Sequence, residues 1–239
     1  MDVIISADQQ VVVSHEPWLS AQLGTGPQGE EIAAARERDF NLYHLPYTII
    51  QQCTIGEKPL PNFPEQQLVP SHRPLLRQVF QAVEAACQQL GRSAIRYAIE
   101  LKSDPTGDRK FHPLPARFVE LVMDEVRAAA VEVRTTLLSF DSRILQAALL
   151  YVPTSQLCLL TENAESVASL LQRLGFVPGT LGPDVSLLSA NTVNSLRIAY
   201  PTLRLVPWTV NDFRELRKVV SWGVDGITTD YPNRLLSIL

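Results

Sequence analysis

From residue 74 onward the chain alternates amphipathic helices with short apolar strands, and this alternation restricts the fold more than any other feature. The segment 74–90 carries Leu75, Leu76, Val79, Phe80 and Val83 on one helical side, stops at Gly91 and feeds a strand at 95–100. The same unit recurs as helix 115–130 with strand 133–140, helix 141–151 with strand 157–160, and helix 162–174 with strand 185–188. It continues as helix 191–200 with strand 203–209 and helix 212–221 with strand 226–229, and 231–239 closes the chain. Such repetition predicts α/β architecture with parallel strands covered by helices.

The first part of the chain is different. Residues 2–5 read as a strand, 7–10 as a turn and 11–15 as a second short strand. A long irregular region follows at 16–71, rich in glycine and proline, with one short helix near 31–40. A stretch of this kind inside a domain points to a lid or to binding loops. Counted together, strands beginning near Asp2, Ile95, Val133, Leu157, Val185, Leu203 and Gly226 make seven, with 11–15 as an extra. The count favours a TIM-type (β/α)8 barrel, one strand short, over an open sheet. Polar residues recur at strand ends as Glu100, Ser139, Thr161, Asn211 and Asp230, the positions that a barrel gathers on its C-terminal face. Gly24-Thr25-Gly26-Pro27-Gln28-Gly29 matches GxGxxG by letter, but without the flanking strand and helix that a dinucleotide site needs.

A chain of 239 residues with 46% hydrophobic content can fill a core without staples, and it reads as one barrel domain over 1–239 with a loop insertion at 16–71. Lys and Arg total 21 against 25 Asp and Glu, so the basic footprint of a general nucleic-acid binder is missing. Cys53, Cys87 and Cys158 are far apart and lack metal-ligand spacing, which reads as free thiols in a reducing compartment. No stretch reaches the length of a membrane helix. The chain as given reads as cytoplasmic, with a periplasmic or secreted location open if a leader precedes it.

His15 ends the apolar run Val11-Val12-Val13 beside Glu16, and a histidine titrates near neutrality, so it is the best general acid or base in the sequence. A purely structural hydrogen bond is the competing reading. Strand alternation points Glu100 and Lys102 to one side, where they need partners or a bound ion; a structural salt bridge is again the alternative. Asp2 on the first strand could join Glu100 in an oxygen-ligand site for a hard cation such as Mg2+ or Ca2+, with charged surface positions as the alternative reading. Trp208 at a strand terminus and Phe63 in a loop suit either ligand walls or core anchors. These residue types select no particular reaction.

Several segments together resemble the glycerophosphodiester phosphodiesterase family, whose TIM-type barrel is related to that of the phosphatidylinositol-specific phospholipases C. Asp2-Val3-Ile4-Ile5-Ser6-Ala7-Asp8 resembles the family's Asp-Val-x-x-Thr-x-Asp, with Ser6 where Thr is usual. Val11 to Glu16 is similar to its Val-x-x-His-Asp, with Glu16 in place of Asp. Glu100-Leu101-Lys102, Ser139-Phe140, Trp208-Thr209-Val210-Asn211 and Gly223 to Pro232 resemble its Glu-x-Lys, Ser-Phe, Trp-Thr-Val-Asn and closing Gly-Val-Asp-Gly-Ile-x-Thr-Asp-x-Pro segments. Their joint order is the specific signal.

The resemblance implies metal-dependent hydrolysis of small glycerophosphodiesters to glycerol 3-phosphate and an alcohol through a cyclic phosphate. It makes Asp2 and Glu100 metal ligands, with Mg2+ or Ca2+ as cofactor, His15 one acid/base and Lys102 a phosphate-facing cation. Trp208 would wall the glycerol pocket, and the region around Phe63 would shape the substrate mouth. The family's opening His-Arg-Gly strand and following helix have no counterpart in the chain as given. The resemblance therefore implies a barrel lacking its first strand and helix, whose open edge would invite self-association. A catalytically inactive phosphate-ligand binding module is the alternative reading.

Overall fold

The computed structural model describes residues 1–239, which divide into two compact units, Met1–Thr135 and Thr136–Leu239. In the first, β1 (Asp2–Ile5) lies between β2 (Val11–Val13) and β3 (Tyr97–Leu101). β1 and β2 are antiparallel, with Val3 opposite Val13, and β1 and β3 are parallel, with Asp2 opposite Glu100. The hairpin turn is fastened by Ser6, whose hydroxyl donates to Asp8 Oδ1 at 2.6 Å and accepts from the Gln10 amide.

The region 16–71 contains only short helical turns and α1 (Tyr47–Ile50), yet it is anchored by a core of its own. Leu19, Ile32, Leu42, Tyr47, Ile50 and Cys53 pack with Ile4, Val12 and Leu75, so the region covers one side of the β1–β2 hairpin. The predicted helix near 31–40 is a 3-10 helix, Ala34–Asp39, with no buried residue. A tight turn suits it, because one apolar stripe is what rewards a longer α-helix and none is present. The GxGxxG stretch is a turn: Gly24 pairs with Ile55, and a Cβ on Gly24 would meet the Thr54 carbonyl oxygen at 1.9 Å. α2 (Leu76–Gln89) and α3 (Pro115–Ala128) complete the unit, burying Phe80, Phe118, Val119, Val122 and Val126.

The second unit repeats strand and helix: β4 (Thr135–Ser139), α4 (Ser142–Ala148), β5 (Leu157–Thr161), α5 (Val167–Leu174), β6 (Thr180–Pro183) and α6 (Ala190–Ala199). It ends with β7 (Arg204–Leu205), α7 (Phe213–Ser221) and α8 (Pro232–Leu236). The strands run parallel in the order β4-β5-β6-β7. The strand expected at 185–188 lies instead at Thr180–Pro183, and Val185–Leu187 is a 3-10 turn begun by Asp184, whose carboxylate accepts from the Ser186 amide. Gly182 belongs to the buried strand because a Cβ there would meet Leu160 at 2.6 Å. The expected strand at 226–229 forms no regular ladder, although Thr228 exchanges backbone hydrogen bonds with Pro207 and Val210. No helix is long and apolar enough to cross a membrane.

Candidate active site

Parallel pairing of β1 with β3 sets Asp2 directly beside Glu100. Lys102, two residues past Glu100, returns to the same side and places Nζ 2.7 Å from Glu100 Oε1 and 3.7 Å from Asp2 Oδ1. Two carboxylates thus converge on one cationic atom. Glu100 is mostly buried, and loss of water pushes its carboxyl up to about 7, with Lys102 opposing the shift and the hydrogen-bonded Asp2 adding to it.

His15 reaches this group from the antiparallel strand. Ser14 donates its backbone amide to the Asp2 carbonyl, which carries the end of β2 back beside the start of β1. His15 Nδ1 lies 2.9 Å from Glu16 Oε1. A carboxylate only accepts, so Nδ1 carries a proton, and in the neutral ring Nε2 keeps its lone pair. The Glu16 hydrogen bond raises the His15 pKa, while burial and the Lys102 charge work against it. Reciprocally, His15 holds the Glu16 carboxyl below its ordinary range. Glu16 Oε2 is buried and has no hydrogen-bond partner.

The loop after β3 is pinned from beneath. His112, only 2% exposed, lies with Nδ1 2.9 Å from the Pro113 carbonyl and accepts from the Asp104 amide at Nε2, 3.1 Å away. A Cβ on Gly107 would meet that ring at 2.6 Å, so the loop closes tightly over the histidine. Both ring nitrogens of His112 are thus engaged by backbone groups of the loop.

Asp2, Glu100, Lys102 and His15 are thus brought together within the first unit. Phe63, also in that unit, is half-buried in a pair of turns, donating to Leu60 and accepting from Gln66 through its backbone. Trp208 belongs to the second unit, where its indole donates to the Gly182 carbonyl at 2.8 Å and meets Phe140 edge-on at 5.5 Å. The remaining polar strand ends fasten loops. Asn211 accepts from the Thr229 hydroxyl and the Asp230 amide and donates to the Asp230 carboxylate, and the Ser139 hydroxyl accepts from the Asp141 amide. Sequence reasoning missed Ser14 and Arg73, which lie directly behind His15 and Glu16. The available signal was weak: one arginine before Pro74, just ahead of an apolar helix.

Asp2 and Glu100 supply hard oxygen donors, the ligand type that Mg2+ and Ca2+ take. The point on which they converge is held by the Lys102 ammonium, and no group of three or more His, Cys, Asp or Glu side chains that could hold a metal ion forms.

Comparison with known proteins identifies the family. The profile of the glycerophosphoryl diester phosphodiesterase family matches residues 1–234. A glycerophosphodiester phosphodiesterase from Bacillus subtilis is 30% identical over 82 residues, a match covering 34% of this chain and 27% of that protein. A protein from Silicibacter pomeroyi assigned as a glycerophosphoryl diester phosphodiesterase superposes with a TM-score of 0.82 at 25% identity, covering 99% of this chain and 81% of that one. A phosphodiesterase from Oleispira antarctica, solved with sn-glycerol-3-phosphate, superposes with a TM-score of 0.70 at 18% identity over 99% of this chain and 82% of its own. The fold class is accordingly α/β of the TIM-barrel type, and the chain belongs to the glycerophosphoryl diester phosphodiesterase family.

Proposed function

We propose that the protein hydrolyses small glycerophosphodiesters, releasing glycerol 3-phosphate and the head-group alcohol, with a divalent cation, Mg2+ or Ca2+, held by Asp2 and Glu100. The observation that carries this reading is the convergence of Asp2, Glu100 and Lys102 beside a histidine whose Nε2 is free. The cation, when bound, supplies charge neutralisation at the phosphoryl oxygens. Lys102 adds positive charge for the phosphate. The glycerol hydroxyl next to the ester attacks phosphorus as the bond to the head-group oxygen breaks, and water then opens the resulting cyclic phosphate at the bond formed by that hydroxyl. His15 Nε2 serves as a proton-transfer group, and Glu16 fixes its tautomer. Phe63 contributes apolar surface to the substrate mouth. The product found in the Oleispira structure is the one this reading expects.

The test is release of glycerol 3-phosphate from glycerophosphocholine and a panel of other head groups by the wild type, His15→Ala and Glu100→Gln. His15→Ala is expected to lower kcat roughly 100- to 10,000-fold, the range for loss of an acid/base group. Glu100→Gln is expected to lose activity that added Mg2+ or Ca2+ restores only in part. Undiminished turnover by both variants would overturn the assignment. Folded wild type that binds glycerol 3-phosphate without hydrolysing any diester would instead identify a binding module.

A further inference from the structure

We propose that Arg73 is a positioning residue for the His15–Glu16 couple, acting through the Ser14 hydroxyl; this rests on the acid/base role proposed for His15. Arg73 is only 4% exposed. Its Nε donates to Ser14 Oγ at 3.2 Å, and that hydroxyl donates onward to the Glu16 backbone carbonyl at 2.7 Å. The serine proton is thereby committed to one direction, since the guanidinium can only donate. The result is a chain of hydrogen bonds from a buried cation to the backbone of the residue that holds His15 Nδ1.

Arg73 itself is well fixed. Its carbonyl accepts from the Tyr47 hydroxyl, the Pro74 carbonyl accepts from the Val13 amide, and Leu75 bridges to Val12. The segment 73–75 therefore runs along β2 as an extra extended piece. The residue before a proline is restricted to such extended geometry.

A buried guanidinium needs an anion. The Arg73 charge acts on two groups, the Cys53 thiol and Glu16. Burial pushes Cys53 up to about 11, so it remains neutral near pH 7. Glu16 is left as the counter-charge, and its Oε2 is the buried carboxylate oxygen with no hydrogen-bond partner. The Arg73 charge favours the ionised Glu16 carboxylate, whose Oε1 lies against His15 Nδ1.

The test uses the full chain with Arg73→Gln, Arg73→Lys and Ser14→Ala, measuring kcat and KM on glycerophosphocholine with metal added, and the His15 Nδ1 proton by NMR on 15N-histidine-labelled protein. The expected result is a kcat lowered roughly 10- to 100-fold in Arg73→Gln and Ser14→Ala, with KM changed less than about twofold, as for a misplaced catalytic group. Arg73→Lys should recover part of the loss. The Nδ1 proton should exchange faster with water in both damaged variants. Wild-type kcat and an unchanged Nδ1 signal in folded Ser14→Ala would overturn the proposal, and this variant decides alone if Arg73→Gln does not fold. If the wild type turns over no diester, the NMR signal still decides the positioning role, separately from the functional reading.

Discussion

At the residue scale, the decisive pair is His15 with Glu16. His15 is raised from its ordinary value of 6.5, so the stability it contributes is full below that value and disappears as pH rises through the higher folded value. Glu16 is lowered from 4.5, so its contribution is present above that value and is lost as pH falls through the lower folded one. The pair should therefore stabilise most between about pH 4.5 and 6.5. Glu16→Gln removes the ion pair and should lower the His15 pKa, readable as a shift of its NMR titration midpoint to lower pH. A midpoint unchanged in Glu16→Gln would show that Glu16 does not hold the imidazole. Strand alternation made the shared side of Glu100 and Lys102 legible, and the structure adds Asp2 beside them. Arg73 was not legible, because its role depends on a segment 59 residues away in sequence returning beside Ser14.

At the scale of elements, long amphipathic helices were read well: 74–90 and 115–130 correspond to Leu76–Gln89 and Pro115–Ala128. Short strands were read less well. Val185 and Leu187 looked like a strand because they are apolar, but Asp184 caps a 3-10 turn there, and the buried strand runs through Gly182 and Pro183. Tertiary packing overrides local propensity in so short a segment. The region 16–71 looked like free loops because its apolar residues follow no period, yet nine buried side chains from it and its neighbours form one cluster. A Gly24→Ala substitution tests how firmly the region is built. Its Cβ would strike a backbone oxygen at 1.9 Å, so the expected loss is about 1–3 kcal/mol by chemical denaturation. Faster amide exchange should be confined to 16–71. Wild-type stability in Gly24→Ala would show that Thr54 and its neighbours yield freely, against a packed insertion.

At the scale of the whole molecule, a formal charge of −4 gives no general attraction for an anionic substrate, so recognition of a phosphodiester has to come from local positive charge. Lys102 supplies part of it, and the cation held by Asp2 and Glu100 supplies the rest in the function proposed above. This makes metal dependence the central claim. The most direct measurement is 31P NMR of glycerophosphocholine incubated with the wild-type chain in EDTA and then after addition of excess Mg2+ or Ca2+. The account predicts a diester resonance that persists in EDTA and gives way to the monoester of glycerol 3-phosphate once the metal is added. A diester that persists in both conditions with folded protein, or that is hydrolysed equally well in EDTA, would contradict it.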